Sequence, residues 1–287
     1  MKKNNLLLTA LLVSFSFILS CKSGPTGEAY TLKMRLAPGD NFSQEVKTNM
    51  DMNMAGFSMK MNMDAETNFD VLQNDTAGKQ LKLTYTKMSM KMDMGDLNQA
   101  VNSDSMMNES QQKLVGRSVT LTLSPQNEIT NVSGFDSLLN SDMYDPVTKQ
   151  LFEKTFSKEQ LNSMFGMVFS MYPTKPVRVG ESWTSKSKFN VANIDMGMKV
   201  KYKLLSVKDG IAEVSVDGTF DGDGNMKQAG INAGMNMEGT QTGRIRIKLT
   251  DGYLKNGNYT MNITGEVNVM GQKMPISMKG DYELTGK

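Results

Sequence analysis

Residues 46–54 read VKTNMDMNM, residues 59–71 read MKMNMDAETNFDV, and AGFS separates them. In both stretches apolar and polar side chains alternate one by one. Successive side chains of a β-strand point to opposite faces, so this period of two is typical of strands with one buried and one solvated face. The stretches therefore predict two antiparallel strands joined as a hairpin at Ala55-Gly56.

The same alternation continues along most of the chain. In the next strand Leu83 and Tyr85 carry the apolar side on odd positions, whereas Met88 and the methionines after it carry it on even positions. A change of phase moves every following side chain to the other face, so we predict a β-bulge or a sharp bend near Thr86-Lys87. Later strands are predicted at 182–191, 196–207, 211–220, 244–250, 259–269 and 274–284.

The stretch at 221–225 reads DGDGN and opens a segment rich in Gly and Asn. It resembles the start of a calcium-binding EF-hand loop, but that loop needs Gly at its sixth position and Glu at its twelfth. Met226 and Asn232 stand there instead. We therefore interpret residues 221–234 as a long, mobile hairpin loop, and weak calcium binding through its carboxylates stays open.

Helices are predicted between the two groups of strands. Asp145-Pro146 is typical of a helix N-cap and first turn, and residues 157–160 form a capping box. The helix that this box opens ends at Tyr172-Pro173, and a second helix is predicted over 105–114. The sequence thus predicts a mainly β fold with minor α, namely a large curved antiparallel sheet (a half-barrel or two pseudo-repeat sheets) with helices packed between the halves. The apolar stripe of the first helix comprises Leu161, Met164, Phe165, Val168 and Phe169.

Two short segments suggest an internal repeat. GDNF at 39–42 and GESW at 180–183 both place a glycine, an acidic residue and an aromatic residue at the start of a strand. Generic turn chemistry explains the same match, so both interpretations stay open. The predicted organisation is a signal peptide at 1–20, a lipidated tether at 21–29 and a single antiparallel β domain at 30–287, with pseudo-repeats at about 30–135 and 177–287 joined by a helical segment at 136–176.

The beginning of the chain is typical of an export signal. A basic start precedes an apolar run from Leu6 to Leu19, which is too short to span about 30 Å of hydrocarbon as a helix but has the length of a signal-peptide core. The run ends in ILSC at 18–21, which resembles a bacterial lipobox. We therefore predict that Cys21, the single cysteine, is acylated and attaches the protein to a membrane. An ordinary cleaved signal peptide with a coincidental cysteine is the alternative.

Composition excludes several classes of function. The chain contains 32 basic and 30 acidic residues, and removing the leader with Lys2 and Lys3 leaves no net charge. Because the charges are also scattered, we predict no nucleic-acid partner. The absence of histidine excludes Ser-His-Asp and Cys-His catalysis and imidazole-bound metals. We expect no catalytic residue, no cofactor and no enzyme activity.

The 27 methionines are the most unusual feature of the composition. Thioethers bind Cu(I), but successive methionines of one strand lie about 7 Å apart, so a site would need neighbouring strands, with Met50, Met61 and Met90 as candidates. The pattern covers far more positions than one site requires, and we predict no metal. A plain core and a face that binds a hydrophobic ligand or a protein partner both stay open. The candidate residues of this ligand face are Met50, Met52, Met61, Met63, Phe69, Met90, Met92, Phe165 and Phe169.

A family resemblance covers nearly all of the chain after the leader. PGD at 38–40 and YPTKPVRVGESW at 172–183 carry it, and on these motifs the chain resembles an uncharacterised family of Bacteroidota lipoproteins. The expected curved sheet is also loosely similar to lipoprotein-carrier half-barrels. The family resemblance implies no established activity and no functional residue.

The residues after the cysteine bear on the expected location. Surface-export signals of that phylum tend to be acidic there, whereas Lys22-Ser23 is not, so we expect the outer membrane with the protein facing the periplasm. The sequence thus predicts a lipid-anchored, non-enzymatic binding module for a hydrophobic ligand. A structural or interaction lipoprotein of the cell envelope that docks a protein partner is the alternative.

Overall fold

The computed structural model describes residues 27–54, 56–93, 114–125, 129–134, 171–191, 194–228, 231–269 and 271–287. Most of this part of the chain is β-strand. The N-terminal half contains β1 (Ala29–Tyr30), β2 (Asn41–Met54), β3 (Phe57–Asp75), β4 (Gly78–Asp93), β5 (Ser118–Leu123) and β6 (Ile129–Ser133). The C-terminal half contains β7 (Val177–Arg178), β8 (Ser182–Val191), β9 (Ile194–Lys208), β10 (Ile211–Gln228), β11 (Ile231–Lys248), β12 (Leu254–Val269) and β13 (Gln272–Gly286).

Among the described residues, eleven strands form one antiparallel sheet in the order β6-β5-β4-β3-β2-β13-β12-β11-β10-β9-β8. Each half of the chain is a meander, because strands adjacent in sequence pair with each other. The first sheet strand of the N-terminal half, β2, pairs with the last strand of the C-terminal half, β13. β1 and β7 form a separate two-stranded sheet.

The described residues are all-β, and the predicted fold with helices packed between the halves is wrong. None of the described ranges contains a helix, and hence none contains one long and apolar enough to cross a membrane. The halves meet strand to strand instead, since β2 and β13 pair from Gln44 opposite Gly286 to Met54 opposite Ile276. Leu114 and residues 171–176 lie in turns, bends and irregular segments rather than helix. The rest of the predicted helical segments lies outside the described residues.

The later strands and the bulge agree with the sequence predictions. β8 to β13 cover all six predicted segments apart from the last two residues of 244–250. The predicted bulge is confirmed, because Thr86 is the extra residue between two regular stretches of the β3–β4 pairing. Its hydroxyl donates a hydrogen bond to the carbonyl oxygen of Glu66 at 3.2 Å. The bulge places both Tyr85 and Met88 on the apolar face.

The predicted hairpin loop at 221–234 is wrong. β10 continues to Gln228 and β11 begins at Ile231, so most of this segment is paired strand. The aspartates of the DGDGN segment lie on the polar face, and its glycines lie on the apolar face. Sequence reasoning counted these glycines as turn residues, although they continue the alternation of the strand.

The same turn precedes the first sheet strand of each half. The carboxylate of Asp40 accepts a hydrogen bond from the backbone N–H of Ala37 at 2.8 Å, and the carboxylate of Glu181 accepts one from Arg178 at 2.7 Å. The glycine before each acidic residue has a φ of 90°, a left-handed conformation that favours glycine. The division into pseudo-repeats stays a prediction, although these two turns have matching geometry.

Side chains of the sheet's apolar face differ between its two ends. At the packed end, branched and aromatic side chains form one buried cluster in each half of the chain. At the methionine end, half-buried methionines predominate. The packed end is defined by Leu36, Val71, Leu81, Leu83, Val119, Leu121, Leu123 and Ile129, together with Leu32, Val200, Tyr202, Leu204, Val214, Val216, Ile245 and Ile247. The methionine end is defined by Met50, Met52, Met61, Met63, Met90, Met92, Met196, Met235, Met237, Met274 and Met278.

Candidate functional site

A cavity of about 460 Å³ lies on the apolar face at the packed end. Six neighbouring strands form its wall, namely β9 to β13 followed by β2. Six strands spaced about 4.8 Å apart would span about 24 Å in a flat sheet, so the sheet must curve for their side chains to surround one cavity. The strand residues that form the wall include Phe42, Val46, Met198, Val200, Tyr202, Val216, Ile245, Tyr259, Met261 and Leu284.

Three connecting segments line the same cavity: the stretch after β1, the stretch before β7 and the turn between β11 and β12. Hydrogen bonds hold them together. The hydroxyl of Tyr172 donates to the carbonyl oxygen of Gly252 at 2.7 Å, and the hydroxyl of Tyr253 donates to the carboxylate of Asp40 at 2.8 Å. Burial raises the pKa of both tyrosines, and the Asp40 carboxylate raises that of Tyr253 further. Both hydroxyls therefore stay protonated and act as donors at neutral pH.

Gly252 permits the close approach of two of these segments. Its φ is 77°, and a Cβ atom there would lie 2.1 Å from the carbonyl oxygen of Lys33. Any side chain at this position would clash with the stretch after β1, so the contact requires glycine.

Trp183, the single tryptophan of the chain, lies beside the cavity. Its indole N–H donates a hydrogen bond to the carbonyl oxygen of Met171 at 2.9 Å. Its ring stacks on that of Tyr202, with the two centroids 5.6 Å apart. Because Met171 and Tyr202 both line the cavity, the fluorescence of Trp183 reports on the surroundings of the cavity.

Polar side chains interrupt the mostly apolar lining. The hydroxyls of Tyr202 and Tyr259 and the side-chain amides of Gln44 and Gln241 have no hydrogen-bond partner among the described residues. Burial raises the pKa of Tyr202 to about 12 and also raises that of Tyr259, so these hydroxyls are neutral at physiological pH. Within the described lining, Lys287 is the one charged side chain.

The predicted ligand-face methionines lie together on the apolar face, but at the methionine end. Met50 is opposite Met61, which is in turn opposite Met92. In the adjacent row Met63 is opposite Met90, so the three methionines considered for copper are divided between two rows. Met52 lies on the same face of β2, and all of these side chains are half-buried. None of them is among the residues that line the cavity.

The phenylalanines of the predicted ligand face have different outcomes. Phe69 stacks on Phe42 with a centroid distance of 4.9 Å, and Phe42 stacks on Tyr253 at 4.3 Å. Phe42 and Tyr253 line the cavity, so Phe69 packs against the edge of its wall from the adjacent strand β3. Phe165 and Phe169 lie outside the described residues, as does the predicted lipid-bearing Cys21.

Sequence reasoning missed most of the cavity wall. The signal was present in part, because Val200 and Tyr202 alternate with polar residues along a segment predicted as a strand. The missing information was the pairing of β2 with β13, which places Val46 opposite Leu284. Nothing in the local pattern of either strand indicates that pairing.

No group of three or more His, Cys, Asp or Glu side chains that could hold a metal ion occurs in the part of the chain that the structure describes. Asp221 and Asp223, considered for calcium, lie two residues apart on the polar face of β10. Successive side chains on one face of a strand are about 7 Å apart, which is too far for both carboxylates to bind one cation closely.

The chain belongs to a family of unknown function, DUF6263, which matches residues 76–254. The match begins at the turn between β3 and β4 and ends at the start of β12, so it includes strands of both halves. The predicted membership of an uncharacterised family is confirmed, whereas the phylum and the lipid modification stay predictions. No curated protein matches the chain.

Two solved structures show distant similarity. Lipovitellin, a structure that describes lipid–protein interactions, has a TM-score of 0.44 and 10% identity over 88% of this chain, which spans 25% of the lipovitellin chain. An outer membrane channel from Pseudomonas putida F1 has a TM-score of 0.22 and 8% identity over 88% of this chain and 97% of the channel. Scores this low support no inference about function.

Proposed function

We propose that this protein is a lipid-anchored, exported, non-enzymatic module that binds a hydrophobic molecule in the cavity at the packed end. The observation that carries the proposal is the cavity of about 460 Å³. Small-molecule sites typically have about 300–1,000 Å³ and mostly apolar walls with a few polar groups. A core that served stability alone would be filled, because protein interiors contain few voids larger than a water molecule.

Fluorescence of Trp183 provides the direct test. Brominated acyl chains quench tryptophan on contact, and Trp183 lies next to the cavity residues Met171 and Tyr202. Titration of the full chain carrying Cys21→Ala with a brominated monoacylglycerol or fatty acid should give saturable quenching. The substitution removes the protein's own acyl chains as competitors. Absence of quenching by both probes would contradict the proposal.

A matched pair of variants locates the ligand. Val216 lines the cavity and is 4% exposed, so Val216→Phe should fill part of the cavity and weaken binding about tenfold or more. Val207 packs against the same cluster without lining the cavity, so Val207→Phe should leave binding nearly unchanged. Equal effects of the two variants would place the ligand elsewhere.

The anchor is proposed on Cys21, with residues 21–29 as the tether and the outer membrane, facing the periplasm, as the location. Cys21→Ala should move the protein from the membrane fraction to the soluble fraction and abolish incorporation of labelled palmitate. Ser23→Ala is the matched control and should change neither result. Recovery of the Cys21→Ala protein in the membrane fraction would refute attachment through this residue.

Docking of a protein partner is the second candidate function. It is favoured by β8, whose outer edge has no partner strand among the described residues. Lys186 and Lys188 on this strand are exposed, and lysines on edge strands discourage pairing with another chain, which favours ligand binding over docking. A photo-crosslinker at Lys186 should give a defined product with an envelope protein if docking occurs, whereas one at Lys60 on β3, an interior strand of the sheet, should not.

A further inference from the structure

The polar groups of the cavity indicate what kind of headgroup its ligand carries, if the proposed function holds. Tyr202 is 7% exposed, and Tyr259 lies on the neighbouring part of the wall, where its ring stacks on Tyr282 at 4.5 Å. Both tyrosine hydroxyls lack a partner in the described part of the chain. Neither hydroxyl oxygen is among the fully buried atoms without a partner in the described part of the chain, so both are accessible from the cavity. A ligand oxygen would satisfy them.

Gln241 adds a side-chain amide to the same wall. The apolar face of β11 otherwise carries methionine, isoleucine and glycine around it. Gln241 lies over Gly218, next to Val200: a Cβ atom placed on Gly218 would be 3.4 Å from atoms of both side chains. Its amide has no hydrogen-bond partner among the described residues and is not fully buried, so a ligand in the cavity can bond to it. Gln44 on β2 is in the same situation.

The charges around the cavity do not favour an anionic ligand. Lys287 is the one cationic side chain among the described lining residues, and its Nζ atom lies 3.4 Å from Glu66 and 3.7 Å from Glu45. Two carboxylates therefore already compensate its charge. An ionised carboxylate or phosphate that entered the cavity would lose its hydration without gaining an unpaired cation, which is strongly unfavourable.

We propose that the cavity binds an uncharged amphiphile, whose apolar chain contacts the aliphatic and aromatic wall and whose ester, hydroxyl or carbonyl oxygens hydrogen-bond to Tyr202, Tyr259 and Gln241. An acylglycerol has this chemistry, and an ionised fatty acid with the same chain does not. The proposal rests on the proposed function and specifies its ligand class. Hydroxyls and amides both donate and accept hydrogen bonds, so the site suits a group with several neutral oxygens.

The experiment compares two probes that differ in the headgroup alone. The full chain carrying Cys21→Ala is titrated at pH 8 with brominated monoacylglycerol and with the fatty acid of the same chain, and quenching of Trp183 gives each dissociation constant. We expect the monoacylglycerol to bind at least about tenfold more tightly. Equal binding, or tighter binding of the fatty acid, would overturn the ligand class while leaving the proposed function intact. No quenching by either probe would overturn the proposed function itself.

Variants test the polar residues separately. Gln241→Leu should weaken monoacylglycerol binding about fivefold, since one hydrogen bond contributes about 1 kcal/mol, and should leave fatty acid binding unchanged. Gln80→Leu on β4, outside the cavity, is the matched control and should change neither. Tyr202→Phe retains the aromatic ring that stacks on Trp183 and tests the hydroxyl alone. If Gln241→Leu and Tyr202→Phe weakened the binding of monoacylglycerol and of fatty acid equally, selective hydrogen bonding to the monoacylglycerol headgroup would be contradicted.

Discussion

The packed end and the methionine end share β3, β4, β9 and β11 and lie on the same face of the sheet, yet their packing differs. At the packed end, Leu121, Leu204 and Ile247 are at most 1% exposed. At the methionine end, side chains such as Met50 and Met61 are half-buried. Branched and aromatic side chains have few rotamers and form a well-defined core, whereas methionine has three rotatable bonds and adapts to irregular space. The cavity lies where the rigid side chains are.

Glycines explain how the methionines pack. A Cβ atom on Gly222 would lie 2.4 Å from the sulfur of Met196 and 3.3 Å from the terminal methyl group of Met237. The methionine side chains therefore occupy the space that the absent side chain leaves. A flexible long side chain beside a glycine replaces the interlocking of branched residues that the packed end shows. Substitutions at the two ends should accordingly have different energetic consequences.

The largest expected difference concerns truncation of side chains. Leu204 is 0% exposed, so Leu204→Ala should lower the free energy of unfolding by about 3 kcal/mol through lost burial and a residual cavity. Met61→Ala should lower it by about 1 kcal/mol, because the side chain is half-buried and its neighbours can adjust. Urea unfolding followed by circular dichroism measures both values. Equal losses would show that the two ends are packed alike.

Glycine-to-alanine substitutions should also change the free energy of unfolding differently at the two ends. A Cβ atom on Gly243, at the packed end, would lie 2.2 Å from the backbone oxygen of Asn258, which cannot move without disturbing the strand pairing. Gly243→Ala should therefore lower the free energy of unfolding by about 2 kcal/mol. Gly222→Ala should change it by less than about 0.5 kcal/mol, because the side chain of Met196 can turn away and alanine restricts the unfolded chain. A larger loss at Gly222 would mean that the methionines are held rigidly.

Alkaline pH should destabilise the fold through a buried tyrosine of the packed end. Burial raises the pKa of Tyr202 from 10.0 to about 12, so between these values the unfolded chain releases this proton while the folded chain retains it. The stability contributed by the neutral hydroxyl is complete below pH 10 and is lost as the pH rises towards 12. Tyr202→Phe should reduce the slope of stability against pH in this window by up to about 1.4 kcal/mol per pH unit. An unchanged slope would show that the hydroxyl is exposed to water.

The comparison also shows how far sequence reasoning extends. The strands and the bulge at Thr86 followed from the period of the apolar residues, because alternation is a local property. The DGDGN segment was wrongly predicted as a loop, because glycine is common in turns. In the structure its glycines lie inside a strand, opposite bulky residues of the next strand. This error arises because a residue's partner on the next strand cannot be read from its own segment.

The candidate site illustrates the same limit. The methionines were conspicuous because of their number, and the structure brings them together. The cavity instead uses ordinary residues such as Val46 and Leu284, which β2 and β13 contribute to one wall. They meet because the two ends of the β domain pair as β2 and β13, a contact between strands more than 200 residues apart in sequence. Local patterns carry no information on such a contact.

The smallest expected effect lies at the boundary between the two ends. Thr48 is 2% exposed, lies between Tyr282 and Met63 on neighbouring strands, and its hydroxyl has no hydrogen-bond partner among the described residues. Thr48→Val keeps the shape and removes the unsatisfied group, so the free energy of unfolding should rise by about 1 kcal/mol. Thr84→Val is the control, because the hydroxyls of Thr84 and Ser118 are hydrogen-bonded at 2.7 Å. Loss of this hydrogen bond should lower the free energy of unfolding by about 1 kcal/mol. A decrease for Thr48→Val would show that its hydroxyl is hydrogen-bonded in solution, and the boundary would then be as well satisfied as the packed end.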